Sequence, residues 1–298
     1  MKKQLYGSKS LKREFPDEAS CLNFLFDLAH SRSCGCGGTY NPMFGVIADK
    51  LEGRRQFQCS KCRFQIAPMA DTIFEKSTTP LTTWFQALLA FSNAKSGISG
   101  YELQREIETT YKTAWRILKL VRSTLTQSEN KLSGDVETDG AYFGGKGRGG
   151  KDNKHQREIM AKKAKLMGAL QRKGEVRMSV VPDLTADIQG EFIRKNIEQK
   201  GTRLMTDATN RLNSVAMGYD RHSVDHSKQE FVRGAVHVNS LDSFLAHVKR
   251  SIKGTHKVVS KKYLQSYLDG FVWHYNKRYS DRERFVSLLG KMLRGAGA

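Results

Sequence analysis

The chain has 298 residues, 39% hydrophobic and 27% charged, enough for one large domain or two to three smaller ones. Fifty Lys and Arg against 30 Asp and Glu leave a net charge of +20, which favours a polyanionic partner, nucleic acid first, over an acidic one. No apolar run approaches the ~20 residues of a membrane-spanning helix, and MKKQLYGSKSLKREF lacks the apolar segment of a signal peptide, so an intracellular chain with no membrane partner is expected.

After the basic start, Pro16 and Asp17 open a short amphipathic helix to about Ala29, with Leu22, Leu25, Phe26 and Leu28 apolar. SCGCGGTY and RRQFQCSKCRFQIAP follow. Cys59 and Cys62 form a CxxC between strand-like runs, and Cys34 and Cys36 lie about one hairpin upstream. Two cysteine pairs on facing turns are how a zinc ribbon closes a tetrahedral thiolate site. The upstream pair is compressed, with only Gly35 between its cysteines. Cys21, on the preceding helix, reads as a buried thiol.

From Asp71 to Leu125 the pattern is helical. Thr79-Pro80 starts a helix carrying Leu81, Trp84, Phe85, Leu88, Leu89 and Phe91, and Gly97 and Gly100 break it. GYELQREIETTYKTAWRILKLVR then reads as helix, short turn, helix. Ala114, Ile117, Leu118 and Val121 form the inner face of the second helix, and Trp115 is read as core. Lys112, Thr113 and Arg116 fall near its start on other faces, the layout of a helix-turn-helix that reads DNA with its second helix. The same pattern also suits a plain helical bundle.

TQSENKLSG, residues 126–134, reads as a linker. DVETDGAYFG is an alternating strand, and KAKLMGALQR and EVRMSVVPD are two more, joined by a hairpin at Arg172-Lys173-Gly174. Thr185 to Glu198 is helical and TRLMTD is a further strand. Asp139 thus falls within the first strand and Asp207 at the end of the fourth. Between the first two strands, Lys146 to Lys165 is glycine-rich and strongly basic, and Lys146 and Arg148 suit phosphate-backbone contacts.

The helix expected from Asn239, with Asn239 or Ser240 as its N-cap, buries Leu241, Phe244, Leu245 and Val248. A second stripe, Asn239, Asp242, Ala246 and Lys249, carries an oxygen ligand, an acid and a cation along one line. A last amphipathic helix is expected over Tyr263 to Tyr275.

The markers CSKCRFQIAP, TIFEKSTTPLTTWFQALLAF, YKTAWRILKLVR, VETDGAYFGGK, LMTDATN, HVNSLDSFLAHVKRSIKGTHKVVSKKYL and FVWHYNKR give the chain a family resemblance. Over nearly its whole length it resembles the DDE-type transposases of bacterial insertion sequences, in particular the ISXO-like family with an N-terminal zinc ribbon. That resemblance implies an α/β fold: residues 1–70 as helix and zinc ribbon, 71–130 as helix-turn-helix region, and 131–298 as a ribonuclease H-like, mixed-sheet catalytic domain. It implies Asp139 and Asp207 as the first two catalytic acids and Asp242 as the third, with Asn239 the alternative. Lys249, followed by Arg250, matches the family's basic position on DNA. Gly140 stands where the family commonly has a second acid, and Asp242 replaces the usual Glu.

Phosphodiester cleavage and strand transfer need a nucleophilic oxygen activated and a leaving oxygen stabilised, which two divalent cations ~4 Å apart do together. Mg²⁺ (or Mn²⁺) takes hard oxygen ligands, so Asp139, Asp207 and Asp242 are the expected metal ligands, with structural Zn²⁺ on Cys34, Cys36, Cys59 and Cys62. The expected partners are double-stranded DNA, as terminal inverted repeats and target, and a second copy of the chain when two ends are joined. An inactive DNA-binding relative and a nuclease that cuts without joining are the competing readings.

Overall fold

A computed structural model of the chain describes residues 5–47, 50–144, 161, 163–207, 218–224, 232, 234, 236–278 and 280–293. Lys146 and Arg148 lie outside the described residues. The chain forms two compact units: Met1–Leu125 with Lys277–Ala298, and Thr126–Asn276. No helix among the described residues is long and apolar enough to cross a membrane.

In the first unit, α1 (Ser8–Glu14) and α2 (Glu18–Ala29) precede a three-stranded antiparallel sheet of β1 (Tyr40–Ile47), β2 (Lys50–Cys59) and β3 (Gln65–Ile66). Asp17 caps α2 reciprocally with Ser20, so the helix starts where Pro16-Asp17 predicts. Cys21, Leu22, Leu25 and Phe26 are buried, whereas Leu28 turns outward. Phe26 stacks on Phe57 of β2 at 4.0 Å between ring centroids, which ties helix to sheet.

Helices α3 (Leu81–Asn93), α4 (Gly100–Glu106) and α5 (Tyr111–Ser123) follow. Residues 71–80, expected to be helical, are turns and bends. Ser99 and Glu102 form a capping box on α4, and Thr110 accepts from the Thr113 N–H on α5. All six apolar residues predicted for α3 are buried. In α5 the predicted inner face holds, but Trp115 is 41% exposed, with the Lys119 ammonium 5.5 Å above its ring. Helix α9 (Asp281–Met292), with Phe285, Leu288, Leu289 and Met292 buried at helical spacing, is not among the elements expected from the sequence, and it belongs to this unit. It sets Phe285 against Tyr6, Phe15 and Phe85.

The second unit is a five-stranded mixed sheet of β4 (Leu132–Phe143), β5 (Ala164–Gln171), β6 (Val176–Val181), β7 (Ile197–Asp207) and β8 (Asp220–Val224). Their order is β6-β5-β4-β7-β8. The first three are antiparallel neighbours, and β7 and β8 run parallel to β4. The predicted linker ends early, because Leu132 to Gly134 already belong to β4. Lys173, at φ +58°, turns the predicted β5–β6 hairpin.

Helix α6 (Ala186–Asn196) covers one face of the sheet, where Phe192 and Ile193 pack with Val136, Met167, Ala169 and Leu204. Helices α7 (Asn239–Ser251) and α8 (Lys261–Asn276) cover the other, where Leu241, Phe244, Leu245 and Val248 meet Leu166, Leu170, Leu264 and Phe271. Burial on both faces explains the continuous apolar run of β5. Each Leu or Phe buried in these layers contributes ~1.5–3 kcal/mol.

Candidate active site

Strand alternation decides which side chains share a face. Asp135 on β4 pairs with Arg203 on β7, and their side chains form a two-pronged ion pair at 2.6 and 2.7 Å. The two therefore lie on one face. Four residues further along each strand, parity returns Asp139 and Asp207 to that same face, two positions beyond the paired Glu137 and Met205. Both acids are half-buried. Asp139 is paired across to Gly168, and its Oδ1 accepts the Gly140 N–H at 2.7 Å.

The same face is the one α7 crosses. A Cβ at Gly168 would stand 2.9 Å from Leu241 Cδ1, so a side chain there would have to push Leu241 of α7 aside. Position 140 looks the other way. A Cβ there would meet Leu184 at 3.0 Å and Met167 at 3.3 Å, on the α6 side. The absence of an acid at 140 thus removes nothing from the face that carries Asp139.

The expected N-cap of α7 is displaced. Val238 occupies the cap position without a side-chain bond, and Asn239 is the first helical residue. The helix end is satisfied instead from the sheet. Glu137, two residues before Asp139, accepts the Leu241 N–H at 2.9 Å with one carboxylate oxygen. Its other oxygen accepts from Arg172 Nε at 2.7 Å, with His237 Nδ1 at 3.4 Å. Arg172 also donates to the His237 carbonyl at 2.9 Å. The Glu137 side chain is fully buried. A carboxylate at a helix N-terminus gains from the orphan N–H groups and the helix dipole together. Glu137 thereby fixes where α7 begins relative to the strand of Asp139. Sequence reasoning passed over it as one polar residue in an alternating strand, since its partners are 35 and 104 positions away.

Asn239, Asp242, Lys249 and Arg250 are all exposed on α7. Among the described residues, the only group of three or more potential ligands close enough to share one ion is Cys34, Cys36, Cys59 and Cys62. Asp139, Asp207 and Asp242 do not form such a group.

The four cysteine sulfurs lie within 4.8 Å of one another, with Cys34–Cys62 at 3.7 Å and Cys36–Cys59 at 3.4 Å. Four thiolates at ~2.3 Å from a tetrahedral Zn²⁺ stand ~3.8 Å apart, so the compressed upstream pair does not spoil the fit. Gly37 at φ +78° makes the tight turn, and a Cβ at Gly38 would lie 2.5 Å from Cys59 Sγ. The Cys36 N–H and the Tyr40 hydroxyl draw the Cys34 thiol down to about 6. The Phe64 N–H favours the Cys62 thiolate, but the crowding sulfurs of Cys36 and Cys59 push its pKa up to about 12. A dication relieves that crowding. The cluster is compatible with structural zinc.

In the first unit, Lys112 is exposed and Thr113 half-buried near the start of α5. Arg116 is tied down: it donates to Thr79 Oγ1 at 3.0 Å and lies 5.9 Å over the Trp84 ring.

Residues 131–276 match the model of the ISXO2-like transposase domain. The chain carries an ISXO2-like transposase domain over this segment. The matched segment nearly coincides with the second compact unit and its mixed sheet. The chain is also 26% identical over 229 residues to an uncharacterized protein in transposable element ISH50 of Halobacterium salinarum, a match covering 73% of this chain and 77% of that protein. The domain match supports a role in transposition, and the family implies DNA binding.

Proposed function

We propose that the chain is a DDE-type transposase that binds insertion-sequence ends, cleaves them and joins the freed 3′ ends to target DNA. The observation that carries this reading is that Asp139 and Asp207 each stand two residues beyond the paired Glu137 and Met205 of two parallel strands, on the face that α7 crosses. The strand order, three antiparallel neighbours followed by two strands parallel to the first, supports a ribonuclease H-like domain. The division into ribbon (1–70), helix-turn-helix (71–130) and catalytic region (131–298) is carried forward as the functional map. Exposed Lys112 and the capped α4–α5 pair support end recognition there.

The donor set at the acid face is hard oxygen, which suits Mg²⁺ or Mn²⁺. Asp139, Asp207 and either Asp242 or Asn239 would hold the metal, and when bound it would activate the attacking oxygen and stabilise the leaving one. The chain's own residues do the rest. Lys249 neutralises a phosphate of the DNA end, and Arg250 and the basic residues Lys146 and Arg148 hold the backbone. Glu137 keeps the α7 residues in register with Asp139. Asn239 is not the cap of α7, so its side chain is not committed to that role. Asp242 is preferred because a carboxylate neutralises charge where an amide offers only a dipole.

The test is incubation of the chain with cloned candidate ends and Mg²⁺, scoring cleavage and joining separately. Asp139→Asn is the dead reference, beside Asp242→Asn and Asn239→Ala, with DNA binding as control. Cutting by Asp139→Asn would sink the acid-cluster reading. Normal cutting by Asp242→Asn together with none by Asn239→Ala would assign the third ligand to Asn239. Cleavage without joining would identify a nuclease.

A further inference from the structure

Beside the acid face lies a cavity of about 600 Å³ lined by Tyr142, Phe143, Gly144, Lys249, Ile252, Lys253, Lys257, Val258 and Val259. That volume is within the ~300–1,000 Å³ of small-molecule sites. Its floor is apolar: Ile252 is buried, and Phe143 and Val259 pack against the core. Its rim is cationic. Lys249, Lys253 and Lys257 recur every four residues, all exposed, and none of the described lining residues is acidic. Three ammonium groups around one opening repel one another, and an anion relieves that repulsion.

The backbone around the rim is built in an unusual way. After α7, residues Ile252–His256 form a π-helical turn, a rare geometry frequent at functional sites. Lys257 then takes φ +62°, ψ −65°, with the Val258 N–H donating to the His256 carbonyl at 2.7 Å. That is a tight positive-φ γ-turn, strained for a residue with a side chain. It presents Lys257 and Val258 together at the cavity, and Val258 is 84% exposed there. Tyr142, near the end of β4, is also among the lining residues.

We propose that this cavity takes one unstacked nucleotide of single-stranded DNA, its base against Tyr142 and the apolar floor and its phosphates on the three lysines. The argument for a base is the apolar floor, which a bare phosphate would not use. The argument for DNA, which rests on the transposase reading, is that Lys249 is shared with the face where an end would be cut. Stacking one base on an aromatic side chain is tolerant of sequence.

The experiment uses the full chain and a fluorescein-labelled five-residue thymidine oligomer at fixed salt, read by anisotropy. It is compared with the same oligomer carrying a central abasic residue, with thymidine monophosphate and with dextran sulfate as competitors. The expected result is about tenfold tighter binding of the intact oligomer than of the abasic one. Tyr142→Ala should erase that difference, Lys253→Ala with Lys257→Ala should weaken both oligomers alike, and Val258→Glu, on an exposed residue, should weaken the intact one. Equal binding of intact and abasic oligomers would leave only a polyanion patch and overturn the proposal. So would a difference that survives both Tyr142→Ala and Val258→Glu, or monophosphate competing as well as the oligomer. The same preparations assayed on element ends separate the two readings: cutting without base discrimination fails the cavity alone, and discrimination without cutting fails the transposase reading alone.

Discussion

Replacing Glu137 with Ala should loosen the start of α7 before it disturbs anything else. The side chain is fully buried and accepts from Arg172 and the Leu241 amide at 2.7 and 2.9 Å, with His237 Nδ1 3.4 Å away. Removing one partner of a buried ion pair costs about 3–5 kcal/mol. The Arg172 side chain keeps 18% exposure, so water reaches part of its charge and the lower end, about 3 kcal/mol, is expected. Glu137→Gln keeps the shape but can face only one N–H with its carbonyl, at a cost of about 1–3 kcal/mol. Amide hydrogen exchange reads this locally: protection of the Leu241 N–H should fall roughly a hundredfold in the Ala variant, since about 1.4 kcal/mol is a factor of ten. Metal-dependent cleavage should fall with it while end binding holds. Unchanged Leu241 protection in Glu137→Ala would refute the capping role, and unchanged cleavage despite lost protection would refute its link to catalysis.

Metal analysis of protein purified without chelator should find about one zinc per chain, and Gly38→Ala, whose Cβ would stand 2.5 Å from Cys59 Sγ, should weaken zinc retention. Lys112→Ala should weaken end binding and reduce the salt slope by about one, with no loss of thermal stability. Arg116→Ala should instead lower the melting temperature, because its guanidinium bridges Thr79 and Trp84. Burial raises the Asp269 pKa against the hydrogen bonds from Gln127 and Gln265. Its contribution is therefore most favourable below the unfolded value of ~3.9 and is lost as pH rises through the folded value. Asp269→Asn keeps the acceptor without the charge, so its stability advantage over the parent should grow with pH across that window in melts from pH 4 to 7; a constant difference would contradict this.

What could be read in the sequence was local. The hairpin at Lys173, the strand ending at Asp207 and the apolar faces of α3, α5 and α7 are carried by neighbours within a few residues. What escaped is long-range or polar. Strand β8, DRHSV, has almost no apolar signal and exists because it pairs with β7. The cap of α7 comes from a residue about a hundred positions earlier, so Asn239 looked like the cap in its absence. Trp115 reads as core in the sequence, yet its place on the helix turns it outward beside Lys119. The π-turn at Ile252–His256 has no periodicity of its own to betray it.

The discontinuity of the first unit bears on the order in which the molecule is made. Helix α9 leaves the ribosome after the entire transposase domain, yet its Arg284 donates to the Ser92 carbonyl at 2.6 Å and to Asn93 Oδ1 at 3.2 Å, and its Arg282 pairs with Glu14 at 2.5 Å. Until it arrives, the cluster of Tyr6, Phe15 and Phe85 lacks the ring of Phe285. The amino-terminal unit, first to be synthesised, is thus the last to be finished, and a nascent chain halted before Asp281 would lack the helix that seals this core.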